Sequence, residues 1–272
     1  MNDAARTRDA RVEHGHSAAT RGRGDVAKKT MAVRALSSEA EFHRAVELQK
    51  QIWGFDDIEL LPARLFIVAT KVGGQAFGAF DGKRMIGFCL AIPGLKAGGG
   101  SYLHSHMLGV MPEYRDAGVG RLLKLAQRED ALARGIKLVE WTFDPLEVKN
   151  AYFNMERLGT IVRRYVRNQY GTTTSPLHGG LPTDRCVAEW WIASPRVQAI
   201  VDGSERVARP EIVERIAVPA DIAVIRREEP KRARQIQGEI SNGFESHFGR
   251  GLAVVGVERT PEAGVYLFGK WK

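Results

Sequence analysis

"LHSHMLGVMPEYRDAGVGRLL", residues Leu103–Leu123, carries two histidines two positions apart and, a few residues later, an Arg-x-x-Gly-x-Gly turn. Side chains on a strand repeat every second residue, so His104, His106, Leu108 and Val110 are expected on one side. Glycines that open a helix leave backbone amides converging on one point with the positive end of the helix dipole behind them, which suits a phosphate. Gly118 and Gly120 also let the backbone approach a ligand closely. After the turn, "RLLKLAQREDALARG" reads as a helix ending at Gly135, and "IKLVEWTF" returns as a strand. This strand–turn–helix–strand unit, from Tyr102 to Phe143, is a crossover and demands two parallel strands at its centre.

On the N-terminal side, "MAVRAL" from Met31 is a short strand and "SSEAEFHRAVELQKQIWG" a capped helix. Ser37 or Ser38 can accept from the first free amides, Glu41 completes a capping box, and Gly54 closes the end. "GQAFGAFDGKRMIGFCLAIPG" reads as a hairpin turning at Asp81-Gly82. On the C-terminal side, "LEVKNAYFNMERLG" is a helix following Asp144-Pro145, "TIVRRYV" a strand, and "CVAEWWIA" another. Between these strands lies the long loop "RNQYGTTTSPLHGGLPTDR", a length more often functional than not. Trp190 and Trp191 are adjacent, so they face opposite sides and at least one is core.

Beyond Ser194 a charged stretch leads to "IAVPADIAVI", a helix from about Pro230 to Phe248, and two strands, "LAVVGVER" and "GVYLFGKW". The order strand, helix, hairpin resembles the start of the core, as a degenerate half-repeat would. The chain therefore divides into an arm over 1–30, a core over 31–195 and a C-terminal extension over 196–272. The arm holds seven basic and four acidic residues and almost no large apolar ones. It cannot offset its ordering entropy by burial and is expected to be disordered. It has no apolar h-region, so it is not a secretory signal.

"LGVMPEYRDAGVGRLL" resembles motif A of the GCN5-related N-acetyltransferase (GNAT) superfamily, with Val110, Pro112, Tyr114, Arg115, Gly118 and Gly120 in register. The surrounding element order from Met31 to Ala193 is also that family's. The resemblance implies a mixed α+β fold, a central mixed sheet flanked by helices, here with an α+β extension. It implies an acyl-CoA-dependent acyltransferase that takes acetyl-CoA or another acyl-CoA as co-substrate and needs no metal. The two central parallel strands would splay, and the pantetheine arm would pair with the backbone of Leu108, Gly109 and Val110. The pyrophosphate would lie on the turn formed by Arg115, Asp116, Ala117, Gly118, Val119, Gly120 and Arg121, with Asn150 also on the coenzyme. Asp116 departs from the family's usual glycine.

Transfer to an amine needs the amine neutral, and an alkyl ammonium has a pKa of about 10. A histidine beside the thioester can take that proton. The H-x-H-x-L-x-V arrangement is similar to that of serotonin N-acetyltransferase, a member of the superfamily in which paired histidines relay the amine proton. The alternative is that His104 and His106 are structural, bonded to backbone or to Glu140, and Glu140 is then the next candidate base. A shared metal ion is discounted for want of a third ligand. Where the family often has a tyrosine to protonate the departing thiolate, this chain has Met155; Tyr152, one turn earlier, is the candidate acid, or a core tyrosine.

The acceptor should enter between the loop after "IWGFDDIELLPARL" and the long loop, which offers Tyr170, His178, Asp184 and Arg185. Arg185 can pair with a carboxylate on an amino-acid acceptor or on a succinyl group, or else form a salt bridge with Asp184 or Glu189. The likeness to a bacterial branch associated with N-acylation of amino acids points to a small amine acceptor.

Composition narrows the remaining classes. With 44% hydrophobic residues in 272 a sizeable core is affordable, and no run of about 18 apolar residues spans a membrane. Cys89 and Cys186 read as free thiols in a reducing, cytoplasmic compartment. The net charge of +8 suits an anionic small ligand. "RREEPKRAR" alternates with acids and lacks stacking aromatics, which argues against nucleic acid. A homodimer is compatible with this reading, and a non-catalytic acyl-CoA-binding protein is its main competitor.

Overall fold

The structure is a computed structural model and describes residues 31–171, 180–204 and 209–271. The arm over 1–30 and His178 lie outside the described residues. Ten strands form one sheet in the order β1-β2-β3-β4-β5-β7-β6-β9-β10-β8. β1 (Met31–Ala35), β2 (Gln75–Asp81), β3 (Arg84–Leu95) and β4 (Ser101–Val110) form its antiparallel N-terminal part. β5 (Leu138–Phe143) joins β4 in parallel, then pairs antiparallel with β7 (Arg185–Trp191), which carries β6 (Ile161–Val166). The mixed sheet flanked by helices expected from the sequence is the architecture found.

α1 (Glu39–Trp53) starts at Ser38, whose hydroxyl accepts from the Glu41 amide while the Glu41 carboxylate accepts from the Ser38 amide. It ends at Gly54 in the left-handed region, φ 66°. The stretch after Leu65, expected as a loop, is part of α2 (Ala63–Lys71). Its Phe66 is fully buried and packs 5.8 Å from Phe88 of β3. α3 (Val119–Ala133) is the crossover helix, and α4 (Val148–Tyr152) continues as a π turn over Phe153–Arg157. The helix expected over this segment is therefore present, changing from α to π at Phe153.

The extension begins with α5 (Pro195–Val201), β8 (Ile212–Pro219) and α6 (Ile222–Glu228). It ends with α7 (Pro230–Gly249), β9 (Leu252–Arg259) and β10 (Ala263–Lys270). It has the element order of the N-terminal start but not its pairing: β8 lies on β10, the second hairpin strand, whereas β1 lies on β2, the first. β9 meets β6 at Val162↔Val254, which continues the sheet. Two hydrophobic cores result. One gathers α1, α2 and the first strands; the other runs from Leu103 through Trp141 and Met155 to Phe244, Tyr266 and Phe268 of the extension. The boundary at 195/196 therefore does not separate two cores.

Candidate active site

β4 and β5 pair only at Leu103↔Val139 and His104↔Glu140. Beyond these, β4 continues to Val110 on β3 and β5 to Phe143 on β7, so their facing edges part. Backbone groups on such edges need partners, and an extended ligand bearing amides supplies them. The resulting V opens into a cavity of about 2130 Å³ lined by α1, β4, α3, β5, α4 and parts of the extension.

One irregularity sets the chemistry along β4. Leu90 of β3 faces Met107 and Ala91 faces Ser105, which leaves His106 as the extra residue of a β-bulge. The inserted residue reverses the alternation beyond it. Ser105 and Leu108 both face α3: Ser105 Oγ accepts from Lys124, and a Cβ on Gly120 would stand 3.6 Å from Leu108 Cδ2. His104 and His106 share the opposite face, their rings 5.9 Å apart, on the side where Gly109 lies beneath Ile52 and Trp53 of α1. The expected single row of His104, His106, Leu108 and Val110 is therefore corrected: the bulge splits it, histidines to one face, Leu108 and Val110 to the other.

At the mouth of the V, Gly118 caps α3 with φ 81°. The first intrahelical bond runs from the Leu122 amide to the Gly118 carbonyl at 3.1 Å, so the amides of Val119, Gly120 and Arg121 precede it. Asp116 takes φ 61°, a left-handed conformation that costs a side chain and that glycine adopts freely. Arg115, Asp116, Gly118, Val119, Gly120 and Arg121 line the cavity, as do Leu108, Gly109, Val110 and Asn150; Ala117 does not. Arg121 is held by its Nη2 donating to the Val201 carbonyl at 3.0 Å.

Of the candidate catalytic groups, His106 and Tyr152 line the cavity, while His104 and Glu140 stand behind it. Burial, with His106 and the nearby cations Lys124 and Arg164 adding to it against Glu140, pulls His104 down to about 4. Burial lowers His106 as well. Both imidazoles are thus neutral near pH 7. Glu140 is buried and its Oε1 accepts from Lys96 at 2.5 Å and Arg164 at 2.6 Å. The Tyr152 ring lies 5.5 Å from the Arg259 guanidinium and 6.0 Å from that of Arg157. Met155 is fully buried core.

Tyr170 and Arg185 line the open side, where the Tyr170 hydroxyl meets Thr142 Oγ1 at 2.9 Å and the Arg185 guanidinium lies 5.4 Å from the Tyr170 ring. Trp190 is buried and Trp191 partly exposed, as their alternation requires. Among the described residues no group of His, Cys, Asp and Glu is placed to hold a metal, and no helix is long and apolar enough to cross a membrane.

The sequence reading missed two features. Lys124 of α3 lies in the cleft among buried side chains; its signal was a lysine within the stripe Val119, Leu123, Gln127 and Ala131. Arg196, Arg209 and Arg259 of the extension line the same cavity. No local pattern marks these arginines, because they reach the site from a segment expected to be separate.

Residues 36–159 match the family model described as Acetyltransferase (GNAT) family. No curated protein matches the chain in sequence. Among solved structures the chain is similar to Arabidopsis thaliana NAA60 in complex with acetyl-CoA, at 16% identity over 61% of this chain and 100% of that one, with a TM-score of 0.50. It is also similar to the ribosomal-protein-S18-alanine N-acetyltransferase from Escherichia coli, at 16% identity over 66% and 100%, with a TM-score of 0.47. At 16% identity the likeness to NAA60 is one of fold.

Proposed function

We propose, on the premise that residues 36–159 are an acetyltransferase domain of the GNAT family, that this acyl-CoA-dependent acyltransferase passes its acyl group to a small amine or amino acid, with His106 and His104 carrying the proton away. The observation that supports this most is the V between β4 and β5, with a helix N-terminus at its mouth and a histidine on its far wall. Phosphates at the amides of Val119, Gly120 and Arg121 would set the thioester within the V, against the bulge at His106. The bulge leaves that residue without a register partner on β3, and its backbone amide would donate to the carbonyl oxygen as charge develops on it.

The acceptor would enter from the α1 side. Its lone pair attacks the carbonyl carbon, the C–N bond forms, and the C–S bond breaks to release the thiolate. His106, its pKa lowered and its ring open to the cavity, takes the amine proton. His104 lies 5.9 Å from it, ring to ring, a gap that one water can span. Tyr152, on the coenzyme side, would protonate the thiolate. Tyr170 and Arg185 would meet the acceptor at the open side.

A coenzyme-release screen crossing acetyl-, propionyl- and succinyl-CoA with amino acids and arylalkylamines tests the reading. Release above hydrolysis with one acceptor class, lost in Gly118→Asp because a side chain and a negative charge then occupy the phosphate site, is the expected result. Slow hydrolysis with every acceptor would favour the non-catalytic binding protein.

A further inference from the structure

The closed end of the V is built differently from its mouth. Ser105 and Trp141 are the first residues beyond the last paired positions of β4 and β5. Lys124 reaches between them from α3. Its Nζ donates to Ser105 Oγ at 2.8 Å and to Gln127 Oε1 at 3.1 Å, and stands 3.5 Å from the centre of the Trp141 ring. All of Ser105, Lys124 and Trp141 line the cavity. Lys124 is only 3% exposed, and among the described residues no carboxylate is paired with it. Burial pulls its ammonium down to about 7. A cation withdrawn from water without an anion is costly, and an aliphatic side chain would fill this helix position without that cost. The group makes physical sense when an anion arrives with the ligand.

Its position indicates which part of the ligand that is. Gly120 of the phosphate-binding turn lies over Leu108, and Lys124, one helical turn further on, lies over Ser105. A chain entering from the turn and running down β4 therefore leads with the end remote from its phosphates. For an acyl-CoA that end is the acyl group.

We propose that the apex of the V is an acyl-selecting subsite in which Lys124 Nζ and Ser105 Oγ hold the distal carboxylate of a dicarboxylic acyl group of about succinyl length. The inference rests on the acyl-CoA reading and names its donor class. Charge-assisted bonds from an ammonium and a hydroxyl that are themselves buried give the carboxylate an advantage that a methyl group cannot match. The face of Trp141 would cover the methylenes between carboxylate and thioester. Arg185 lies next to the Phe143↔Cys186 pair at the open end, away from this apex, and is left to the acceptor.

Calorimetric titration of the full chain with CoA, butyryl-CoA and succinyl-CoA decides the matter without knowledge of the acceptor. Butyryl and succinyl have the same four-carbon backbone and differ in a terminal methyl against a carboxylate. The wild type should bind succinyl-CoA at least tenfold more tightly than butyryl-CoA. Lys124→Met, similar in length and apolar, should reverse that order while leaving affinity for CoA within about twofold; Ser105→Ala should narrow the preference without reversing it. Melting temperatures at or above wild type for Lys124→Met would show that the fold persists. Equal or tighter binding of butyryl-CoA by the wild type, or a succinyl preference that survives Lys124→Met, overturns the subsite and leaves the acyltransferase reading intact. Binding of none of the three thiols and thioesters overturns both.

Discussion

At the scale of single residues, the basicity of the histidines decides how the site can work. A neutral His106 is ready to accept a proton near pH 7, and its lowered pKa moves its protonation to more acid pH. Under the proposed relay, activity requires the unprotonated ring and is lost as pH falls through its folded pKa. The acid limb of kcat/KM should therefore lie below pH 6.5, the ordinary histidine value. A limb above that value would mean another group limits the rate. His106→Gln should cost about 10²–10⁴ in kcat, with coenzyme affinity nearly unchanged and partial recovery as pH approaches the amine pKa. Asp116 gives a prediction of the opposite sign. Its φ of 61° favours glycine, and it lines the cavity at the turn proposed for the pyrophosphate. Asp116→Gly should raise stability by about 0.5–1 kcal/mol in denaturant titrations and tighten CoA binding; a loss of both would refute the strain argument.

At the scale of elements, the capping box of α1 and the bulge of β4 show two kinds of local control. Ser38→Ala removes an acceptor for the Glu41 amide and should destabilise the chain by about 1 kcal/mol, read from the denaturation midpoint. Glu41 also accepts from Arg34 at 2.5 Å, and the Arg34 guanidinium with the Ser37 amide holds its carboxyl down to about 2. A depressed carboxylate contributes stability above its unfolded pKa of about 4.5 and loses it as pH falls toward 2. The contribution is small because the pair is exposed to solvent. The capping box was legible because its partners are three residues apart. The bulge was not, because only pairing with β3 reveals it; an unbroken period-two pattern puts Leu108 on the wrong face.

At the scale of the molecule, the C-terminal extension is part of the fold that carries the site. Tyr266 donates from its hydroxyl to the Pro145 carbonyl at 2.6 Å, and Arg226 pairs with Asp144 at 3.3 Å, just before α4. Gly264 touches α4 so closely that a Cβ would stand 2.1 Å from Val148 Cγ1. Arg196 donates to the Gly159 and Val255 carbonyls and so ties the segment after the π turn to β9. A chain ending at residue 195 would strip apolar cover from one core and expose the edge of β6. Such a truncation should be insoluble or fail to bind CoA, while the full chain should unfold in one cooperative transition. A well-folded 31–195 fragment with full affinity would show that the extension is an addition. Arg209→Ala and Arg259→Ala, which alter the cavity wall and not the core, should weaken CoA binding in the intact protein.

What the sequence determined by itself is whatever is settled within a few residues or by the order of elements. The glycine turn at Gly118 and Gly120, the ends of α1, the crossover and the mixed sheet all follow from caps, glycines and short-range periodicity. The family resemblance rests on the same segment. Tertiary structure alone decided which face each histidine occupies, that Glu140 is already held by Lys96 and Arg164, and that the extension joins the second core. It also decided that Lys124 is buried at the apex of the V and not dissolved on a helix surface. The physical reason is common to these cases. Burial, charge pairing and bulge register depend on partners tens of residues away, and a lysine's surroundings are no property of the lysine.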